Sequence, residues 1–334
     1  MQYQSIQALR AIAALTVVVF HSHWASAWNS SQLLRLPLIS DYGYIGVDLF
    51  FCISGFIICH VASSAPRFNP IRFLLKRVWR IAPLYWGILA LILIWTLATN
   101  RYANEISALG MNGVIKSFLM FPMEAYPLLS PGWSLEHEVL FYLLAALVVP
   151  FFGTAGLAVT LFCLWGTGQR WTGWDYHLFS YAQLYFAAGI LAYRLRHAPM
   201  RVTGVVCLAS LAAGLLMLYG IVGLPGWLRH PLFATAFGAL ISFLAAAEQA
   251  GLKFPMPLLK LGDASYSLYL VHGPIFVELS VIGYRSGMPI EIWRWLSIAV
   301  SIGAALLARR YIELPAQELG RRLPGMSEAR PASV

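Results

Sequence analysis

Charged side chains are scarce in this chain: Asp, Glu, Lys and Arg make up 11% of its 334 residues, whereas soluble globular proteins carry about 25%. Hydrophobic residues make up 59%, and the mean hydropathy is +0.69. Apolar runs of about 20 residues recur, which is the length that an α-helix needs to cross a bilayer. Membrane β-strands would instead show segments of about ten residues in which apolar and polar side chains alternate. These features argue against a soluble enzyme and predict an all-α integral membrane protein.

Cysteine is also rare. The four cysteines, Cys52, Cys59, Cys163 and Cys207, all lie in apolar runs, and no two of them form a C-x-x-C pair. Free cysteines in such surroundings behave as small hydrophobic residues. We therefore predict neither a disulfide framework nor a metal site.

Ten apolar segments are predicted to cross the membrane, although the fifth is short for a full crossing. They cover residues 6–24, 45–63, 81–98, 134–151, 153–167, 178–194, 203–223, 231–249, 265–284 and 291–308. The connection over residues 99–133 is predicted to be a loop, and no soluble domain is expected. The predicted organisation is a polytopic transmembrane domain over residues 1–310 and a short cytoplasmic tail over residues 311–334.

The positive charges indicate how these segments are oriented. Lys and Arg collect in alternate connections, around residues 67–80, 194–201 and 253–260, and again after residue 308. Cytoplasmic loops of membrane proteins are enriched in these residues, so both termini are predicted to be cytoplasmic. The same bias accounts for the net charge of +9 without a nucleic-acid partner. No internal repeat is visible, which disfavours an inverted-repeat transporter.

The first segment, LRAIAALTVVVFHSHW, contains an arginine near its start and a histidine near its end. Arg10 and His21 are eleven residues apart, so in an α-helix they lie within about 20° of one face and roughly 16 Å apart along the axis. Ionisable side chains inside a membrane are costly and usually functional; the alternative is a snorkelling arginine with an interfacial histidine. A signal peptide ending at Ala25-Ser26-Ala27 is a weaker alternative, because cleavage would remove His21 and disturb the charge pattern.

Carboxylates occur in two other segments at a similar predicted depth. Asp48 lies in GVDLFFCISGF, and Glu136 and Glu138 lie in PGWSLEHEVLFY. Glu136 falls in the first turn of its helix and is interpreted as a capping charge, whereas Glu138 lies deeper. Because a histidine beside a carboxylate is a general-base arrangement, His21, Asp48 and Glu138 are candidate catalytic residues.

A basic cluster precedes and opens the third segment in FLLKRVWRIAPLYW. Arg77 and Arg80 share a helix face, Lys76 lies beside them, and Arg72 is one turn earlier. Positive-inside bias alone explains such a cluster, but paired guanidiniums also suit the phosphates of a cytosolic donor. His272, in GDASYSLYLVHGP, is interpreted as either a polar tie between helices or a lining group of an internal channel.

The order of these motifs resembles the acyltransferase 3 family of membrane acyltransferases, and in particular its standalone exopolysaccharide O-acetyltransferases. The likeness covers about residues 5–310 and rests on LRAIAALTVVVFH, GVDLFFCISGF, RVWR, GWSLEHEVLFY and SYSLYLVH. It implies transfer of an acyl group, usually acetyl, from cytosolic acyl-CoA to a sugar hydroxyl at the outer face of the cytoplasmic membrane. The implied acceptor is a cell-surface or lipid-linked polysaccharide or another glycoconjugate, and no metal is involved.

The resemblance also assigns roles to residues. It makes His21 the essential histidine of the first segment and Arg10 its paired arginine. Arg77 and Arg80 match the family's cytoplasmic Arg-x-x-Arg, which with Lys76 would hold the nucleotide phosphates of acetyl-CoA.

The fourth segment departs from the commonest family pattern. Glu138 matches the family's glutamate after Trp-Ser-Leu, but Val139 stands where many members have a second glutamate, and Glu136 is extra. The carboxylate that partners the histidine is therefore open, with Glu138 favoured. Asp48 and His272 match family positions whose roles are less certain.

Two other function classes are also compatible with the sequence. A polytopic carrier or flippase for lipid-linked sugars also needs buried charges and a polar path, although its expected paired broken helices are not visible. A membrane sensor or scaffold is the third class. Aromatic residues near the predicted outer loops are interpreted as sugar contacts or as a belt against membrane lipids; they are Trp133, Trp171, Trp174, Tyr176 and Tyr181.

Overall fold

The computed structural model describes residues 3–24, 34–64 and 68–323, and all regular structure in these ranges is helical. The α-helices are α1 (Gln4–Trp24), α2 (Ile39–Tyr42), α3 (Ile45–Ser64), α4 (Pro70–Thr99), α5 (Ala103–Leu119), α6 (Gly132–Gly168), α7 (Ala182–Arg194), α8 (Met200–Leu218), α9 (Arg229–Gln249), α10 (Met256–Asp263), α11 (Ser265–Arg285), α12 (Ile290–Ala308) and α13 (Leu314–Arg322). The predicted all-α fold is confirmed. The stretch Ala25-Ser26-Ala27 lies outside the described residues.

Within the described ranges, 8 segments are long and apolar enough to cross a membrane, so the chain is a multi-pass membrane protein. Two features account for the difference from the ten predicted segments. Helix α6 has 37 residues and kinks at Gly153, where φ is +63°, so the predicted segments 134–151 and 153–167 are its two arms. Helix α7 has 13 residues, fewer than the about 20 that a full crossing requires.

The connection between residues 99 and 133 is not a plain loop. It contains α5, 17 residues long, which bends at Gly110. The loop prediction is wrong here. The sequence ANEISALGMNGVIKSFL contains enough residues of high helix propensity to form a helix, although few of its side chains are buried. Ser117 ties the end of α5 to the bundle, since its carbonyl accepts from the Tyr85 hydroxyl at 2.9 Å and its Oγ from the Leu128 amide at 3.0 Å.

Helices α3 and α7 approach each other closely through two glycines. A Cβ atom on Gly189 would lie 1.8 Å from the Cys52 carbonyl oxygen, and one on Gly55 would lie 2.1 Å from that of Phe186. Small residues let the backbones of membrane helices come into contact. This contact buries most side chains of α7, which lies inside the bundle.

Helix α1 packs against α3, α10 and α11. At its first turn the amides of Gln4 and Ser5 donate to the Glu248 carboxylate at 2.8 and 2.9 Å, where a negative charge also complements the helix dipole. A Cβ on Gly262 of α10 would lie 1.9 Å from the Gln7 carbonyl oxygen. These contacts fix α1 in the interior of the bundle.

The residues after α12 remain helical. A π turn (Arg309–Glu313) leads into α13, which packs on α4. Glu313 is buried and accepts from Ser267 Oγ at 2.9 Å and from Arg309 at 3.3 Å. The first part of the predicted tail, residues 311–322, is therefore ordered against the bundle, while the division at residue 310 stays a prediction.

The α3–α7 contact leads to a first test. The Gly189→Ala substitution should lower the free energy of unfolding by about 1–3 kcal/mol or more, because the added methyl group would overlap the Cys52 carbonyl oxygen. Gly87→Ala is the matched control: Gly87 lies in α4, and no neighbouring atom lies within 4 Å of the place that an added methyl group would take, so this change should be neutral or slightly stabilising. Thermal unfolding of both variants in detergent measures the difference, and equal melting temperatures would contradict the packing.

Candidate active site

The ring of His21 forms a hydrogen bond with a second histidine. His21 Nδ1 lies 2.9 Å from His272 Nε2, and the two rings are nearly parallel, with centroids 5.0 Å apart and an interplanar angle of 13°. His272 is 1% exposed, and its Nδ1 lies 3.1 Å from the Leu268 carbonyl oxygen. The last turns of α1 are thereby joined to the middle of α11.

These hydrogen bonds assign the tautomers of both neutral rings. The Leu268 carbonyl can only accept, so His272 Nδ1 carries a proton and His272 Nε2 has a free lone pair. His21 Nδ1 must then donate to His272 Nε2, which leaves the lone pair on His21 Nε2. An imidazole oriented in this way by a hydrogen bond at its other nitrogen is suited to accept a proton.

His21 lines a cavity of about 370 Å³ together with Asp48, Arg229 and His230. We name it the outer cavity, and the one at the other end of α1 the inner cavity, after the predicted orientation of the chain. The volume of the outer cavity lies within the range of about 300–1,000 Å³ typical of small-molecule sites. Most of the remaining walls are aromatic, and they are formed by Phe20, Tyr44, Tyr126, Trp133, Tyr181 and Tyr269. Of the aromatic residues interpreted as sugar contacts or as a membrane belt, Trp133 and Tyr181 line this cavity, whereas Trp171, Trp174 and Tyr176 do not.

Polar contacts fix the walls of the outer cavity. The Arg229 guanidinium donates to the Tyr44 hydroxyl and lies 5.4 Å from the centre of the same ring. The Tyr185 hydroxyl lies 3.2 Å from His230 Nδ1, and Asp48 is 5% exposed. Tyr44 precedes α3, and burial raises the pKa of its hydroxyl.

Glu138 does not contact His21. Its Oε1 accepts from Ser54 Oγ at 3.0 Å and from the Tyr142 hydroxyl, and it lines a middle cavity of about 60 Å³ with Arg10 and Arg80. The favoured pairing of Glu138 with His21 is therefore not formed. The rise along α6 places Glu138 deeper than the outer cavity, and the helix turns it toward α3.

An inner cavity of about 360 Å³ lies at the other end of α1 and is lined by Arg10, Arg80, His60 and Tyr3 among others. No hydrogen bond or ion pair joins the Arg10 or Arg80 guanidinium to another residue in the described part of the chain. Two guanidiniums that share a cavity without carboxylate partners form a site suited to an anion.

The three cavities adjoin one another. Val47 and Tyr269 line both the outer and the middle cavity, and Arg10, Ile57 and Arg80 line both the middle and the inner cavity. A row of internal spaces thus runs beside α1 from the two guanidiniums to the His21 ring.

Only one residue of the predicted basic cluster lines the cavities beside α1. Arg80 faces the cavities, whereas Arg77 is buried, with its guanidinium 5.3 and 5.2 Å from the centres of the Phe73 and Tyr142 rings. Arg72 and Lys76 do not line any of the three cavities.

Sequence reasoning missed three residues that line the cavities: His60, Arg229 and His230. His60 could have been found, because it is an ionisable residue inside the second apolar segment. Within residues 3–24, 34–64 and 68–323, no group of three or more His, Cys, Asp and Glu side chains is arranged to hold a metal ion.

The fold and the site define a multi-pass helical membrane protein in which a histidine pair deep in the bundle adjoins a row of polar cavities. The sequence profile of the acyltransferase 3 family, described as an acyltransferase domain, matches residues 3–308. The chain belongs to this family and is a membrane-embedded acyltransferase.

Similar proteins support this assignment. ExoZ of Rhizobium meliloti, an exopolysaccharide production protein, is 28% identical over 84% of this chain and 91% of its own length. BcsY of Komagataeibacter xylinus, named as a membrane-bound transacylase, is 27% identical over 81% of this chain and 72% of its own. The O-acetyltransferase OatA of Staphylococcus aureus is 24% identical over 94% of this chain and 57% of its own length. No solved structure matches the chain.

Proposed function

We propose that this protein is a transmembrane O-acetyltransferase that moves an acetyl group from cytosolic acetyl-CoA to a sugar hydroxyl of a cell-surface or lipid-linked polysaccharide. The observation that carries the proposal is the row of cavities leading from the Arg10 and Arg80 guanidiniums to the His21 ring. The names of ExoZ and OatA, which concern exopolysaccharide production and O-acetyl transfer, support this acceptor and this acyl group.

The proposal places the protein in the cytoplasmic membrane, with residues 1–310 as the membrane domain and both termini in the cytosol. The basic end of α4 then faces the cytosol, as the distribution of Lys and Arg predicts. Arg72, Lys76 and Arg77 lie at this end and attract the nucleotide, while Arg80 and Arg10 bind its phosphates in the inner cavity. The uncharged pantetheine arm extends through the middle cavity toward His21.

The chemistry follows from the tautomer of His21. Its Nε2 accepts the proton of the sugar hydroxyl while the sugar oxygen attacks the thioester carbonyl. A carbon–oxygen bond forms, the carbon–sulfur bond breaks, and the CoA thiolate leaves and takes up the proton from His21. His272 accepts the hydrogen bond from His21 Nδ1, and this bond strengthens when His21 becomes an imidazolium. General-base help of this kind contributes about 10²–10⁴-fold to a rate.

The outer cavity is the acceptor site in this proposal. Its aromatic walls suit the apolar faces of a sugar ring, and Asp48 and His230 offer hydrogen-bond partners for hydroxyls. Glu138 is separated from His21 and lines the middle cavity with Arg10 and Arg80.

The direct test measures acetyl transfer by the purified protein in lipid nanodiscs. Isotopically labelled acetyl-CoA is supplied in the same reaction as a deacetylated oligosaccharide repeat, and the label on the sugar is read by mass spectrometry. His21→Ala should lower the rate by at least about 100-fold, whereas His197→Ala, at an exposed histidine outside the cavities, should not. A wild-type rate for His21→Ala would remove His21 from the reaction. A protein that moves sugars without consuming acetyl-CoA would instead support the carrier hypothesis.

The histidine pair generates a second prediction. His272→Leu should lower kcat about tenfold or more with little change in either KM, because His21 loses the acceptor that fixes its tautomer. His272→Gln keeps an acceptor oxygen and should retain more activity than His272→Leu. Steady-state kinetics of both variants measure the effect. The control is Ser280→Ala, on the same helix but outside the three cavities. Equal kcat values for wild type and His272→Leu would contradict the assigned role.

The guanidinium pair generates a third prediction. Arg80→Ala should raise KM for acetyl-CoA roughly 10- to 100-fold, as expected for the loss of a hydrogen bond to a charged group, and should leave KM for the acceptor unchanged. Arg321→Ala, on the exposed face of α13, is the control for removal of a positive charge. The prediction fails if the acetyl-CoA KM of Arg80→Ala equals that of Arg321→Ala.

A further inference from the structure

Glu136 is a buried carboxylate that the proposed reaction does not use. It is 1% exposed and does not line any of the three cavities beside α1. Its Oε2 accepts from His177 Nε2 at 2.8 Å and from the Met123 amide at 3.1 Å. These partners lie on either side of α6 in the chain, so Glu136 ties together two connections instead of capping its own helix.

The partner His177 is held in an unusual conformation. It lies in the connection between α6 and α7, and both Tyr176 and His177 have left-handed φ values, +53° and +64°. Such a backbone is unfavourable for a residue other than glycine and persists only when its surroundings enforce it. Here Asp175 Oδ1 accepts from the His177 amide at 3.1 Å, and the Glu136 carboxylate holds the ring.

A second histidine extends this cluster. The His137 ring stacks on His177 with centroids 4.0 Å apart. His137 Nδ1 lies 3.0 Å from the Trp133 carbonyl oxygen and therefore donates, so its Nε2 accepts from Ser180 Oγ at 3.1 Å. The cluster of Glu136, His137, His177 and Ser180 thus joins α6 to the connection that enters α7.

Each segment held by the cluster supplies one aromatic wall of the outer cavity. Tyr126 follows Met123 by three residues, Trp133 lies one turn before His137, and Tyr181 follows Ser180 directly; all three line the cavity that contains His21. We propose that Glu136 and His177 are positioning residues for the acceptor, since the hydrogen bond between them sets the spacing of these walls. This inference rests on the proposed function in taking the outer cavity as the acceptor site.

The test separates acceptor binding from donor binding. His177→Leu removes the donor to Glu136 and should raise the acceptor KM about tenfold or more, while the KM for acetyl-CoA stays unchanged. His177→Gln keeps an N–H donor and should restore much of the acceptor affinity. Glu124→Gln, an exposed carboxylate in the same connection as Met123, is the matched control and should behave as wild type.

A double variant covers the case in which His177→Leu does not fold. Glu136→Gln with His177→Leu keeps an oxygen that can accept from the Met123 amide and removes the buried charge that would otherwise lose its partner, yet it should still raise the acceptor KM. Unchanged acceptor KM values in His177→Leu and the double variant, or an equal rise in both KM values, would overturn the inference.

A binding measurement keeps this inference separate from the transfer reaction. Quenching of tryptophan fluorescence by the deacetylated oligosaccharide repeat reports acceptor binding without catalysis, because Trp133 lines the cavity. Weaker binding by His177→Leu than by Glu124→Gln supports the positioning role even if no acetyl group is transferred. Equal binding by the two variants would overturn it.

Discussion

Burial of α1 in the middle of the helix bundle is the constraint on which the rest of the structure depends. A bilayer interior offers no water to solvate Arg10 or His21, so the helix that carries them needs protein around it. The glycine of α10 that touches its backbone and the Glu248 carboxylate at its first turn hold it there. Both ionisable side chains therefore line internal cavities, and the histidine reaches its partner on α11.

Part of this site follows from the sequence alone. The rotation of 100° per residue is enough to predict that Arg10 and His21 share a face, and the structure places them along one row of cavities. The rise per residue predicts only the height of Glu138. The direction in which its side chain points depends on how α6 packs, and the structure turns it toward Ser54. The neighbour of His21 is His272, which is 251 residues away in the chain and which no local pattern could have indicated.

The fold, like the site, could be predicted from the sequence only in part. Long apolar runs predict most of the membrane segments because length and hydropathy are local properties. Helix α7 is different: it is short, and its place inside the bundle depends on the contact between Gly55 and Gly189. A glycine in a sequence is compatible with a turn, a kink or a close helix contact. Gly153 forms a kink and Gly189 a close contact, and only the packed structure distinguishes these uses.

The middle cavity has a consequence for the membrane itself. A passage that joined both sides of the bilayer would let protons and small ions leak and would dissipate the gradients that the cell maintains. Between the larger inner and outer cavities, the space beside Glu138, Arg10 and Arg80 is only about 60 Å³, room for a few water molecules. A waist this narrow, with charges of both signs in its wall, leaves little room for a stream of hydrated ions to cross the bundle between the two larger cavities.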